Sequence, residues 1–221
     1  MVGERTTGRT WKPGPLYAPI RAFCVLVKNT LTRGRMSGLE HLPSTGGVIL
    51  VSNHASNADP VILMALCPRP LVFMAKEELY RPPLARLILY LWGGSFPVRR
   101  GATDVRAVRE ALALLEAGAP LVLFPEGTRR PDGLAEGHRG VGYLASRAAA
   151  PVVPVAIVGS DTINGLADLR RRPPFEVRFG EPFTVSADDT DPTATIMHRI
   201  AALLPPERRG VYADREPVHV G

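Results

Sequence analysis

Apolar positions along the chain change period several times, and each change marks a predicted element. Leu16, Ile20, Phe23, Val27 and Leu31 recur at helical spacing with Arg21, Lys28 and Asn29 off the stripe, which predicts an amphipathic helix over about 15–32. Gly46 to Val51 is a continuous apolar run of strand length, and Pro60 then opens a short helical run, Val61 to Leu66. A second strand covers Pro70 to Ala75, and Leu84, Leu87, Ile88 and Leu91 form another helical stripe ending at Trp92. Gly94 to Val98 reads as a short strand, Asp104 to Gly118 as a helix with Gly118 at its C-cap, and Pro120 to Phe124 as a buried strand. A helix near 140–149, the apolar strand Val152–Val158, two strands at 175–179 and 183–185, and a helix over about 192–204 complete the series. Strands alternating with helices predict a single α/β domain, a largely parallel or mixed sheet with helices on both faces. The division expected is a flexible leader at 1–14, an amphipathic helical segment at 15–36, the domain itself at 37–205 and a flexible polar tail at 206–221.

Composition changes this picture little. With 221 residues, 45% hydrophobic and 22% charged, the chain is ordinary for a globular domain and long enough to bury a core. Its net charge of +6 comes from 24 Arg and only 3 Lys. Arginine meets phosphate with a fixed fork of two donors, which suits a phosphorylated substrate or an anionic membrane surface. A genome-wide preference for Arg and Ala codons gives the same bias, so particular arginines carry more weight than the total. Aromatic and basic residues do not interleave as in single-strand binders, and no nucleic-acid partner is expected. Cys24 and Cys67 lie in apolar helical surroundings without metal-ligand spacing, and the five histidines form no close pair, so no zinc site is expected. The stretch Met1 to Trp11 lacks the apolar core of a signal peptide, and the longest apolar runs fall short of the roughly 18 residues that span a bilayer. Membrane contact, if made, is then interfacial. For the 15–36 segment two readings stay open: packing on the core, or, with Arg33 and Arg35 just beyond the stripe, lying in a membrane interface.

Candidate chemistry concentrates at Val51 to Pro60. His54 falls on the turn between a strand and a helix, and Asp59 sits at the helix start, where the turn can bring its carboxylate back to the imidazole. With one ring nitrogen held by a carboxylate, the other is free to take a proton from a hydroxyl. The structural alternative is that Asp59 caps the helix ahead of Pro60, with Ser56 and Asp59 at capping-box spacing.

Three further segments also end predicted strands: Phe96-Pro97-Val98-Arg99-Arg100, Phe124-Pro125-Glu126-Gly127-Thr128-Arg129, and Val153-Pro154-Val155. Together with Asn53, His54 and Asp59 they resemble, in order and spacing, the four motifs of the glycerolipid acyltransferase family, over roughly residues 37 to 200. The Phe-Pro-Glu-Gly-Thr-Arg match is the most specific. The resemblance implies an O-acyltransferase, with the acyltransferase domain at 37–205, that moves a fatty acyl group from an acyl-coenzyme A or acyl-carrier-protein thioester to the hydroxyl of lysophosphatidic acid, giving phosphatidic acid. It implies His54 as general base, Asp59 as its orienting partner, and no metal or organic cofactor. A lipid hydroxyl is a poor nucleophile at neutral pH, so such a base has a purpose. Arg100 and Arg129 are the candidates for the acceptor phosphate, with Arg99 and Arg130 as alternates. Glu126 is expected to orient an arginine or bind a glycerol hydroxyl, Gly127 to let the backbone approach the ligand, and Lys76 to meet phosphate or the oxyanion. Asn53, Phe96 and Thr128 complete the expected substrate-binding set. Another lysolipid, an amino-acid lipid, a glycolipid or glycerol 3-phosphate are alternative acceptors, and a non-catalytic lipid-binding protein is the alternative of another class. A peripheral place on the cytoplasmic face of the membrane, with the 15–36 helix associating, is the location expected.

Overall fold

The computed structural model describes residues 10–99, 104–165, 167–186 and 188–213. Two helix–strand steps open the chain: α1 (Tyr17–Leu31) into β1 (Arg33–Ser37), then β2 (Val48–Ser52), α2 (Asp59–Leu66) and β3 (Val72–Lys76). There follow α3 (Pro83–Trp92), β4 (Ser95–Val98), α4 (Val105–Glu116), β5 (Pro120–Leu123), α5 (Arg139–Arg147), β6 (Val152–Val158), β7 (Pro174–Phe179) and α6 (Pro192–Leu203). One mixed sheet results, in the order β1-β7-β6-β2-β5-β3-β4, parallel throughout except where β6 meets β7.

The uninterrupted apolar run of β2 has its cause in this position. Every residue from Val48 to Ser52 is buried, because β2 is central and covered on both faces. Successive side chains alternate between two cores. Ile49 and Val51 join Leu121, Leu123 and Val152 beneath α4, α5 and α6, while Val48 and Leu50 join Val122, Val153 and Val155 beneath α1 and α2. Strand order reverses around β2, and in open α/β sheets the crevice at such a point, beyond the carboxyl ends of the strands, is where ligands bind.

Several expectations are corrected. The segment 15–36 is not one helix: α1 stops at Leu31, and Arg33–Ser37 is an edge strand paired in parallel with β7. Its polar, mostly exposed side chains, with only Gly34 half-buried, hide it from any apolar pattern. Residues 183–185 form no strand; Phe183 makes a single bridge to Val152. The described part of the leader is docked, since the Trp11 N–H donates to Ala117 O at 2.8 Å and the Gly14 N–H to Trp92 O at 3.0 Å; residues 1–9 lie outside the described residues. The described part of the tail is folded as well, in two short 3-10 turns at Pro206–Arg208 and Gly210–Tyr212.

Helix α1 turns a different face inward from the one the stripe suggests. Tyr17 and Cys24 are buried, with Ile20 and Val27 packed beside them, whereas Phe23 is 66% and Leu26 59% exposed. The Tyr17 hydroxyl accepts the Leu71 N–H at 2.6 Å and its ring stacks on Trp92, which fixes α1 to the body. Helix α3 buries no residue fully and exposes Leu84, Leu87, Ile88 and Tyr90. The two helices adjoin, the Leu16 N–H donating to Leu91 O. Among the described residues no helix is long and apolar enough to cross a membrane.

Candidate active site

β2 delivers its chain to Asn53, and the side chain of Asn53 continues the sheet where the strand ends. Its Nδ2 donates to Ile157 O and its Oδ1 accepts the Ile157 N–H, both at 2.8 Å. The amide is thereby engaged by β6, which fixes the course of the chain into His54.

His54 is held on every side. Its Nδ1 lies 2.8 Å from Asp59 Oδ2, and its ring stacks on Phe124 with centroids 4.2 Å apart. Asp59 Oδ2 also accepts the N–H groups of Ala55 and Ser56, each at 2.8 Å, and Ser56 Oγ accepts the Ala58 N–H. Only one bond of a capping box is made, from the Ser56 N–H to Asp59 Oδ2; the Asp59 N–H donates to the Ser56 carbonyl instead of its hydroxyl. Asp59 begins α2 as a residue of its first turn, not as its N-cap, and its carboxylate reaches backwards. Asp59 does not cap α2; its Oδ2 joins the imidazole to the backbone of the preceding turn. Asp59 is fully buried, so the carboxylate acts on the imidazole in a weakly screened environment. Among the described residues none hydrogen-bonds His54 Nε2, which leaves that nitrogen to accept a proton.

The backbone of His54 is clamped by the segment after β5. Its N–H donates to Glu126 Oε2 at 3.0 Å, and its carbonyl accepts the Arg130 N–H at 2.6 Å. Glu126 Oε1 accepts the Ala135 N–H at 3.2 Å. Each carboxylate oxygen accepts one backbone N–H, so Glu126 ties two loops together, and it borders a cleft beside Arg130. Burial pushes its carboxyl up to about 7, against the lowering effect of the two N–H groups and of Arg130 nearby. Gly127 sits at φ +64°, and a Cβ there would fall 2.5 Å from the His138 ring, so the turn requires glycine.

The remaining expected residues divide. Thr128 and Arg129 are exposed beyond this turn, and Lys76 is exposed at the end of β3. Phe96 is 3% exposed, packed in the core beneath α4–α6. Arg99 is bound at 2.8 Å to Glu77, an exposed pair. Arg100 lies outside the described residues. Sequence reasoning gave no role to the Phe124 ring against His54, nor to the backbone of Arg130 and Ala135. Phe124 heads the quoted motif; the backbone donors leave no trace in side-chain identity.

An imidazole oriented by a buried carboxylate stands at the carboxyl ends of the central strands of a mixed α/β sheet, the place where α/β proteins of this class hold their ligands. The particular family follows from comparison with known proteins: a family model described as Acyltransferase matches residues 33–158, and the chain belongs to that family. The match begins at the first residue of β1 and ends at the last of β6. Among curated relatives, a 1-acyl-sn-glycerol-3-phosphate acyltransferase of Limnanthes alba is 31% identical over 173 residues, covering 75% of this chain and 60% of that protein. The alpha form from Homo sapiens is 34% identical over 128 residues, 57% of this chain and 45% of that one, and a Borreliella burgdorferi relative is 32% identical over 99 residues, 44% and 40% respectively. The chain thus matches about two-fifths to three-fifths of the length of these relatives. The crystal structure of a 1-acyl-sn-glycerophosphate (LPA) acyltransferase, PlsC, from Thermotoga maritima shares the fold, with TM-score 0.66 and 24% identity over 81% of this chain and 73% of that one.

Proposed function

We propose that the protein transfers a fatty acyl group from a coenzyme A or acyl-carrier-protein thioester to the free hydroxyl of lysophosphatidic acid, forming phosphatidic acid. The observation that carries the reading is the His54–Asp59 pair with Nε2 unengaged. His54 Nε2 takes the proton as the lipid oxygen attacks the thioester carbonyl, and Asp59 stabilises the imidazolium that forms. Collapse of the tetrahedral intermediate expels the thiolate, which recovers the proton from His54 to leave as the thiol. The names of the relatives support the acceptor, and the exposed Arg129 beyond the Gly127 turn is the group offered to its phosphate.

The reaction takes place at a membrane surface in this reading. The adjoining helices α1 and α3 present Phe23, Leu26, Leu84, Leu87 and Tyr90 to solvent, an apolar face of the kind that enters a lipid interface. Arg33, Arg35 and the exposed run Arg170–Arg172 lie by the C-terminal end of α1, where the Arg33 Nε donates to Arg172 O, and suit anionic headgroups. The test is thiol release from palmitoyl-coenzyme A with lysophosphatidic acid in detergent micelles, comparing wild type with His54→Ala. Acceptor-dependent release that falls about 10²- to 10⁴-fold in the folded variant supports the mechanism. Release that survives the substitution removes it, and a preference for a phosphate-free acceptor removes the substrate.

A further inference from the structure

We propose that the segment after α6, residues 205–212, is a positioning strap for the general base, latched by Arg208 onto Asp161 and onto the loop that carries the donors to His54 and Glu126. It rests on the acyl-transfer reading of His54. Arg208 Nη2 bonds Asp161 Oδ2 at 3.0 Å, and Asp161 stands three residues past the end of β6. The other arm of the same guanidinium donates to the carbonyl of Pro131. One side chain thereby ties the end of a central strand to the loop that follows the Pro-Glu-Gly-Thr turn.

Backbone bonds complete the strap. The Leu134 N–H donates to Arg208 O and the Val211 N–H donates to Leu134 O, each at 3.1 Å. This approach is possible because Gly133 and Gly210 face one another with positive φ; a Cβ on Gly210 would fall 2.0 Å from Leu134 O. Leu134 and Tyr212 are both buried in the core beneath α4–α6, which anchors the two chains together. The loop so held, 130–135, contains the two N–H donors that matter to the site: Arg130 to His54 O, and Ala135 to Glu126 Oε1. Behind it lies a small, partly open cleft bordered by Asn53, Glu126, Arg130, Asp161 and Arg208. The loop faces this cleft on one side and the strap on the other, so the strap bears on its position and, through it, on that of the His54 peptide. Lysine at 208 reaches either Asp161 or Pro131 but not both, since its single ammonium lacks the fork.

Arg208→Ala, Arg208→Lys and Asp161→Asn in the full chain test this, each measured for kcat and KM with palmitoyl-coenzyme A and lysophosphatidic acid, for thermal midpoint, and for amide exchange. Arg208→Ala is expected to lower kcat about 10- to 100-fold, as small misplacements of catalytic groups do, with KM for both substrates nearly unchanged. Arg208→Lys falls between it and wild type, and Asp161→Asn follows the same direction. Exchange accelerates at 53–56 and 126–135 while 48–51 stays protected. Unchanged kcat overturns the proposal, as does a raised KM for the acceptor alone, which makes Arg208 a substrate ligand. Accelerated exchange across the whole chain with a matching drop in midpoint overturns it too, reducing the strap to ordinary stability. A wild-type protein without thioester turnover sinks the acyl-transfer reading alone, and the exchange pattern then decides whether the strap holds the His54 loop.

Discussion

Asp59→Asn separates the charge of Asp59 from its geometry. Asp59 Oδ2 accepts from His54 Nδ1 and from two backbone N–H groups, all at 2.8 Å. An asparagine carbonyl oxygen in the same place keeps these three bonds, so the loop should hold its path. Its NH2 then occupies the site of Oδ1, which is buried without a hydrogen-bond partner; an unsatisfied donor there costs about 1–3 kcal/mol of stability, to be measured by urea unfolding. What disappears is the negative charge opposite the forming imidazolium. Two unit charges about 4 Å apart attract by about 4 kcal/mol at an effective dielectric constant of about 20. The ring is 14% exposed and solvent screens part of this, which leaves a loss of about 10²- to 10³-fold in kcat. Thiol release under saturating palmitoyl-coenzyme A and lysophosphatidic acid reads it directly, with KM expected to stay close to wild type. A folded Asp59→Asn protein with kcat within threefold of wild type would refute the reasoning and leave Asp59 as a brace for the loop at 54–56.

Three other outcomes follow from the geometry. The Glu126 carboxyl, raised from 4.5 to about 7 by burial, makes the folded state bind more protons than the unfolded state between those pH values. Its contribution to stability therefore declines as pH rises through that window, by about 3 kcal/mol in total; Glu126→Gln should flatten that slope, and parallel urea-derived stability curves for the two proteins would contradict it. Gly127→Ala combines a left-handed φ with contact on the His138 ring, so it should lower the thermal midpoint and kcat together, by about 1–3 kcal/mol in stability. Adding His138→Ala should return only the steric part, and full restoration would rule out backbone strain. Tyr17→Phe strips the buried Leu71 N–H of its acceptor at a cost of about 1–3 kcal/mol; ultraviolet titration should also lose a phenol that ionises only at about 12, because burial raises Tyr17 to that value.

What the sequence made legible, and what it hid, divides by the kind of atom involved. Central strands declared themselves, since burial on both faces leaves only apolar residues from Val48 to Val51 and from Val152 to Ile157. β1 could not, because an edge strand whose side chains mostly face solvent has no apolar pattern to show. The His54–Asp59 contact was readable because both partners are distinctive side chains at a fixed short spacing. Glu126 was visible as a residue, but its backbone partners were not: they are the N–H groups of His54 and Ala135, which any amino acid except proline supplies. Asn53 and Phe96 lie in the expected segments yet face the sheet and the core, a distinction of direction that chain order does not encode. The folded segment 206–213 was hidden by its composition, because Pro, Glu, Arg and Gly suit exposed turns and mobile ends alike.

β1 has a bearing on how the molecule is made. Its only neighbour in the sheet is β7, and Arg33 is paired with Pro174, about 140 residues further on. On a ribosome adding about 5–20 residues per second, that partner emerges roughly 7 to 30 s after β1 itself. Helix formation takes microseconds or less. The partners of α1, among them Leu71 and Trp92 against Tyr17, emerge well before Pro174, so it is β1 and not the inner face of α1 that waits for its neighbour. The β1 edge of the sheet therefore closes late, after the segments that hold α1 are already made.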